Sequence, residues 1–390
     1  MEQLYQKINQ SIESHLDQYK EIVKEMYENP EIGNQEFKAQ ALLSSYLKKA
    51  GFKVNNSVVV PTDFIAEYKS KKAGPKIAFM CEYDALPEVG HGCAHNLIAG
   101  IGIAAGEALK SIADEIGGTI QVIGTPAEEN FGGKVSLAEA GIFKDVDVAL
   151  MVHPGTGNGV GSKSQALNPI KFEFFGKNAH GSRPQEGKSA LDAAVLSYIN
   201  INLLRQFLEP ETSIHGIISD GGLAANVIPA YASLEYYFRA PTMKYAEIMT
   251  KKAIDCVEGA CKATGTTYKT SIYECPYEDT LINYELADLL YEKYQLLGLN
   301  NIDLVDEKAI GSTDVGAVSY QCPTIQGRIK ICDTSVTGHS KEMAAATVSQ
   351  EGSLALVNAA KGIAYVACDL IVDSSKLKKV QTEFNQAIGK

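Results

Sequence analysis

Long apolar runs are missing: nowhere does the chain approach the ~18 uninterrupted apolar residues of a bilayer-spanning helix, so no membrane partner is expected. The opening stretch, Met1 to Asn29, is polar and amphipathic and lacks a basic start followed by an apolar run. It does not read as a secretory signal, and the cytoplasm is the simplest location. A disulfide framework is missing too. Cys81, Cys93, Cys256, Cys261, Cys275, Cys322, Cys332 and Cys368 are scattered, several inside apolar runs where a reduced thiol behaves as a small hydrophobe, so thiols are expected. Lysines and arginines form no dense stripe and the net charge is −11, which sets aside nucleic acid in favour of a small-molecule or peptide substrate. Neither a repeat of roughly 20 to 50 residues nor a low-complexity tract is present. There is no Gly-x-Ser-x-Gly elbow, the glycines from Gly155 to Gly161 miss the dinucleotide spacing, and Gly181 to Ser189 misses the P-loop by one residue.

What is there fits a large α/β protein. A chain of 390 residues exceeds the usual size of one core, so two domains are expected. Apolar residues recur three or four apart over Gln3 to Tyr27 and Glu36 to Ala50, predicting two helices. Short apolar runs then alternate with helical stretches: Phe64 to Tyr68, Lys76 to Cys81, a helix over Leu97 to Ile112, Thr119 to Gly124, a helix over Lys134 to Ala140, and Val148 to Val152. From Pro169 the order becomes strand (Ile170 to Phe175), helix (Ser189 to Phe207), two strands (Ser213 to Ser219, Ala232 to Arg239), helix (Lys244 to Thr264) and strand (Thr267 to Tyr273). That is one ferredoxin-like β-α-β-β-α-β unit, read as an inserted lid or dimerisation domain spanning 169–280. Helix and strand alternation resumes with Glu285 to Leu297, Thr324 to Ile331 and Thr347 to Ile371. The catalytic domain is therefore expected to be discontinuous, 1–168 with 281–390, built on a mixed sheet covered by helices.

The chemistry-bearing residues follow three successive apolar strands. Cys81 leads into Glu82-Tyr83-Asp84 and Gly90-His91-Gly92-Cys93-Ala94-His95-Asn96, Gly124 leads into Glu128-Glu129, and Val152 leads into His153. Ligands of open α/β sheets bind beyond the carboxyl ends of strands, so these loops should converge on one cleft. Thiolate, imidazole and carboxylate together suit a divalent transition metal, and Cys-x-His spacing lets both side chains reach one ion or adjacent ions. Taken singly, His153 reads as a structural histidine and Glu128-Glu129 as a solvated turn. Taken together, adjacent carboxylates in a turn stiffened by Pro126 point differently, so one can bind metal while the other takes a proton from water, the division of labour hydrolysis needs.

Glu82-Tyr83-Asp84-Ala85-Leu86-Pro87, Gly90 to Asn96, Gly124-Thr125-Pro126-Ala127-Glu128-Glu129, Met151-Val152-His153-Pro154, Asn226-Val227-Ile228-Pro229 and Gly311-Ser312-Thr313-Asp314 resemble, in this order, the motifs of the aminoacylase and carboxypeptidase type of dinuclear metallopeptidases. The resemblance runs from about Met80 to Ser340 and is to the amidohydrolase branch, nearest its Xaa-Arg dipeptidases and p-aminobenzoyl-glutamate hydrolase subunits. Two positions depart from the commonest form: Ala94 stands where Gly is usual, and Asn96 where Asp is frequent, Asn96 being found in that nearest group.

The resemblance implies two divalent ions, zinc or manganese with cobalt as a further option. Cys93, His95, Glu129, His153 and His339 would be the ligands and Glu128 the general base of a metal-activated water. It implies that Asp84 orients a ligand, where the residues alone equally allow a loop cap. In the inserted domain it makes His180 a polariser of the scissile carbonyl, and Asn226 and Arg239 substrate holders, although Arg239 also reads as a solvated edge charge. His91 is open between a supporting and a turn role; His15 and His215 read as surface or core. The implied reaction is hydrolysis of amide or peptide bonds in dipeptides or N-acyl amino acids. The inserted domain is expected to form a homodimer, with a higher homo-oligomer also open, and His180 to serve the partner's site. Two other readings stand beside it: a metal-free thiol hydrolase using Cys93, and a non-catalytic binding or scaffold member of the family.

Overall fold

The computed structural model describes residues 1–309 and 311–389; Ile310 and Lys390, both within the expected 281–390 span, lie outside the described residues. The chain forms two compact units, one of Met1–Lys163, Thr280–Ile310 and Asp314–Lys390, the other of Ser164–Asp279 with Gly311–Thr313.

The first unit is built on an eight-stranded mixed sheet in the order Lys53–Asn56, Phe64–Lys69, Thr119–Gly124, Lys76–Cys81, Val148–Gly155, Thr324–Lys330, Asn158–Gly159, Ile302–Asp303. The Lys76–Cys81 strand pairs in parallel with Thr119–Gly124 on one side and Val148–Gly155 on the other. Those three are buried along nearly their whole length, as strands covered on both faces must be. Helix Glu2–Glu28 buries Ile8, Ile12, Tyr19, Ile22, Val23 and Met26 along one stripe. It packs with helices His95–Ile116 and Gln350–Val372. These last two are long and apolar enough to cross a membrane by composition, yet 83% and 78% of their apolar windows are buried inside the unit, as core helices are.

One close approach sets the height of the His95 helix over the sheet. A Cβ at Gly102 would lie 2.4 Å from Cys81 Sγ and 3.0 Å from the Met80 carbonyl oxygen, so the helix rests directly on the end of the central strand. That contact brings the first helical residue, His95, to the carboxyl edge of the sheet.

Several element boundaries differ from the sequence expectation: the helix expected over Leu97 to Ile112 spans His95–Ile116, and the strand expected from Ile170 starts at Ala166. The helix expected over Thr347 to Ile371 starts three residues later, as Gln350–Val372, and a separate short helix, Lys341–Ala346, precedes it. Ser349 divides them, its hydroxyl accepting from the Gly352 N–H at 3.0 Å as an N-cap. The strand expected to end at Val152 runs to Gly155, because Thr324–Lys330 pairs alongside it as far as Lys330↔Gly155. His153 is thus a strand residue, opposite Arg328, rather than the first residue of a loop.

The second unit holds an antiparallel four-stranded sheet in the order Thr267–Ile272, Ala166–Phe175, Tyr231–Ala240, Ser213–Asp220. Alternate residues Ile170, Phe172 and Phe174 on one strand, and Leu234, Tyr236 and Phe238 on the next, point to one face. Helices Ala190–Leu204 and Met243–Thr264 cover that face through Ala193, Ile201, Met249 and Val257. The Ser213–Asp220 strand is an edge and exposes Ile217 and Ile218, while the Ala190–Leu204 helix exposes Val195, Ile199 and Leu203 at four-residue spacing.

Candidate metal centre

Because the strands carrying Cys81, Gly124 and His153 are parallel neighbours, their carboxyl ends open on the same edge of the sheet. The Gly124 loop turns back at once: the Thr125 N–H donates to the Cys81 carbonyl at 2.7 Å, and the Ala127 N–H to buried Glu36 Oε1 at 2.9 Å. Ala127 sits in the left-handed region at φ 61°, which turns Glu128 and Glu129 back over the sheet edge. On the neighbouring loop Ala94 has φ 62° and serves as the backbone N-cap of the His95 helix, and on the third His339 has φ 59°. The His339 N–H donates to the Gly92 carbonyl at 3.0 Å. A Cβ at Gly92 would stand 2.6 Å from Val89 Cγ1 and 3.2 Å from the His339 backbone, so a glycine is what admits that chain.

These loops bring Cys93, His95, Glu128, Glu129, His153 and His339 together. In each of the groups Cys93–His95–His153, Cys93–Glu129–His339 and His95–Glu128–Glu129 the sulfur, nitrogen and oxygen atoms lie within 4.8 Å of one another. Cys93 Sγ is 3.6 Å from His153 Nε2, and His339 Nε2 is 3.6 Å from Glu129 Oε1.

The hydrogen bonds fix which nitrogen of each ring is left over. His153 Nδ1 donates to the Pro154 carbonyl at 2.7 Å, leaving Nε2 as a lone pair toward Cys93. His95 Nδ1 donates to Asp84 Oδ1 at 2.9 Å and lies 3.1 Å from the Asp84 carbonyl oxygen. Among the described residues its buried Nε2 has no hydrogen-bond partner, and it faces Glu82 Oε2 at 3.3 Å and Glu129 Oε1 at 4.0 Å. Glu129 Oε1 is likewise buried and unpartnered. A lone pair and carboxylate oxygens that face each other away from water need a cation between them. A thiol, imidazoles and carboxylates are the donor set a zinc- or manganese-type ion takes, so these residues fit a divalent metal.

The electrostatics agree with that need. Burial pushes the Glu128 carboxyl well above the usual range, and Glu82 and Asp314 push it further. Burial opposes charge on His95, yet Asp84, Cys93 and Glu82 outweigh it and hold its proton affinity well above that of an ordinary histidine. The Cys93 thiol is pushed up to about 12 by burial, His95 offsetting only part of it. A nucleophilic thiolate requires the opposite shift.

Asp84 is buried and answers two groups at once: Oδ1 accepts from His95 Nδ1, and Oδ2 accepts from the Glu129 N–H at 3.0 Å. His91 is buried beside the loop with its Nδ1 unpartnered. Three buried charges close to the site carry no role in the sequence expectation. Glu82, Lys134 and Asp314 form a connected network. Glu82 and Asp314 do lie within the motifs of the resemblance, whereas nothing local marks Lys134, a lysine one residue into a short helix, as buried.

His180, Asn226 and Arg239 belong to the second unit. His180 is exposed and pairs with Val227 in a two-stranded ribbon, with the Gly181 N–H donating to the Asn226 carbonyl at 2.7 Å, so His180 and Asn226 are neighbours. His180 Nδ1 accepts from the Ser182 N–H at 3.1 Å, leaving Nε2–H outward. Arg239 is the last residue but one of the Tyr231–Ala240 strand, where its guanidinium donates to Ser312 Oγ at 2.8 Å and to His215 Nε2 at 3.3 Å.

A model of peptidase family M20/M25/M40 matches residues 78–360. The Xaa-Arg dipeptidase of Mus musculus is 37% identical over 98% of this chain and 93% of its own length. A p-aminobenzoyl-glutamate hydrolase subunit of Escherichia coli is 28% identical over 99% of this chain and 96% of its own length. Among solved structures, a dinuclear metal binding peptidase of the M20 family from Bacillus subtilis shares the fold, with a TM-score of 0.67 at 18% identity, covering 92% of this chain and 99% of that one.

Asp84 yields a direct expectation. In an asparagine one of the two oxygens becomes an NH2 donor, so the side chain no longer offers separate acceptors to His95 Nδ1 and to the Glu129 N–H. Asp84→Asn is expected to keep the fold, by circular dichroism, and to bind zinc about 10- to 100-fold more weakly by calorimetric titration of the metal-stripped protein. Unchanged affinity would remove Asp84 from the organisation of the site.

Proposed function

The chain belongs to peptidase family M20/M25/M40 and is a hydrolase of amide or peptide bonds, and from that premise we propose that it cleaves dipeptides or N-acyl amino acids at the sheet-edge centre with two divalent ions. The observation that carries this reading is the pair of buried, unpartnered atoms, His95 Nε2 and Glu129 Oε1, inside overlapping sulfur, nitrogen and oxygen clusters. Cys93, His95, Glu129, His153 and His339 would hold the ions. When bound, zinc or manganese, with cobalt as a further option, supplies Lewis-acid charge that polarises a carbonyl and lowers the pKa of water.

The remaining work falls to the protein's own groups. Glu128 is the general base: its carboxyl, pushed up by burial and by Glu82 and Asp314, takes a proton readily and can return it to the leaving amine. Asp84 holds His95 in the tautomer that presents Nε2, and holds the Glu129 main chain in place. His180, with Nε2–H outward, donates to the scissile carbonyl, and the adjacent Asn226 holds substrate. Arg239, its guanidinium satisfied by neutral acceptors, suits a substrate carboxylate. A thiol mechanism has the 3.6 Å Cys93–His153 pair in its favour, and the high proton affinity of Cys93 against it.

The test is a panel of dipeptides, including Xaa-Arg, with N-acyl amino acids and p-aminobenzoyl-glutamate, assayed with chelator and after readdition of zinc, manganese or cobalt. Activity should vanish on chelation and return with metal. Glu128→Gln should keep metal yet lose roughly 10² to 10⁴ in turnover, whereas Glu129→Gln should lose metal affinity as well. The reverse pattern would show the pair assigned backwards, and chelator-insensitive hydrolysis lost on thiol alkylation would replace the metal reading with the thiol one.

The second unit is the ferredoxin-like lid and dimerisation module of this proposal. Its edge strand with Ile217 and Ile218, and its helix exposing Val195, Ile199 and Leu203, form apolar surface that a two-fold contact would bury. In that dimer His180 serves the partner's site. Mixing inactive His180→Ala with inactive Glu128→Gln, under conditions where subunits exchange, should restore about a quarter of wild-type activity by binomial pairing. No recovery despite verified exchange would place His180 in its own chain's site or outside the reaction.

A further inference from the structure

Beside the candidate ligands lies a group of buried charges without a task in the chemistry above. Lys134, Glu82 and Asp314 are all essentially inaccessible to solvent. A buried ammonium is costly unless matched, and Lys134 is matched twice. Its Nζ lies 2.5 Å from Glu82 Oε1 and donates to Asp314 Oδ1 at 2.6 Å, while its backbone N–H donates to Asp314 Oδ2 at 2.9 Å. Main chain and side chain of one residue therefore grip both oxygens of the same carboxylate.

Two glycines put it there. Gly132 is left-handed at φ 60°, and a Cβ at Gly133 would fall 1.9 Å from the Pro126 carbonyl oxygen. The chain folds back so tightly that helix Gly133–Glu139 starts against the turn bearing Glu128 and Glu129. From there the network reaches the site by contact. Glu82 offers its second oxygen, Oε2, at 3.3 Å from His95 Nε2, the nitrogen left free because Asp84 occupies Nδ1. Any movement of Glu82 is felt at that nitrogen. Asp314 immediately precedes the Val315–Ser319 helix, so through it Lys134 also ties the Glu128–Glu129 turn to a distant stretch of chain.

We propose that Lys134 is a positioning residue: by bridging Glu82 and Asp314 it fixes a carboxylate beside His95 Nε2 and locks the Glu128–Glu129 turn, so that the site is arranged before a divalent cation arrives. This rests on the metal-hydrolase reading. The metal-stripped full chain, as wild type, Lys134→Met and Asp314→Asn, is titrated with zinc by calorimetry, and kcat and KM are measured on the best panel substrate after metal loading. Lys134→Met is expected to bind zinc about 10- to 100-fold more weakly. It should also lose kcat while KM stays within about threefold, the pattern of a lost arrangement rather than lost substrate binding. Asp314→Asn leaves Lys134 paired with Glu82 and should move both quantities in the same direction by less; it carries the test if Lys134→Met does not fold. Variants that fold and match wild type in zinc affinity and kcat overturn the role of Lys134 alone. A wild-type protein that takes up no metal overturns the functional reading, and the positioning role with it.

Discussion

Mutual repulsion at the sheet edge is the constraint on which the site depends. Glu82, Asp84, Glu128, Glu129 and Asp314 are drawn together with Cys93 and His95 where water is largely excluded, and Lys134 is a buried positive charge paired with two of them, Glu82 and Asp314. Carboxylates so placed cannot all stay ionised without further positive charge. The protein meets part of this with hydrogen bonds: Asp84 accepts twice, and Asp314 is gripped by both donors of Lys134. The rest is left open at His95 Nε2 and Glu129 Oε1, and that open remainder is what the proposed cations would fill.

Holding such a site also costs backbone strain. Ala94, Ala127 and His339 all adopt positive φ, each on a loop that carries candidate ligands, at about 1–2 kcal/mol apiece. Ala94 is the position at which the resembled family usually has glycine, and the left-handed backbone explains why. The alanine is fully buried, so its methyl group packs in the core and offsets part of that strain. Close packing of the helix on the strand at Gly102, and of the chain on itself at Gly133, transmits this geometry into the scaffold.

How much could be read beforehand depended on whether the relevant signal was local. Alternating apolar residues such as Phe172, Phe174, Tyr236 and Phe238 mark strands by their period, and Cys93 and His95 share one loop, so both were legible. His339 was placed only by resemblance, because nothing within its own stretch distinguishes it from a surface histidine. The strand through His153 is longer than its own apolar run, since its extension comes from pairing with Thr324–Lys330, a partner distant in the chain. Lys134 was illegible for the same reason: its burial follows from the Gly132–Gly133 turn and from Asp314, far away in sequence. Local propensity cannot report a charge pair closed by tertiary structure.

Two divalent ions, as proposed, would make up the charge deficit at this edge. Elemental analysis of the full chain, saturated with zinc or manganese and freed of unbound ion, counts them directly. Two ions per chain are expected, as in hydrolases whose paired metals sit roughly 4 Å apart. One ion or none at saturation would contradict this.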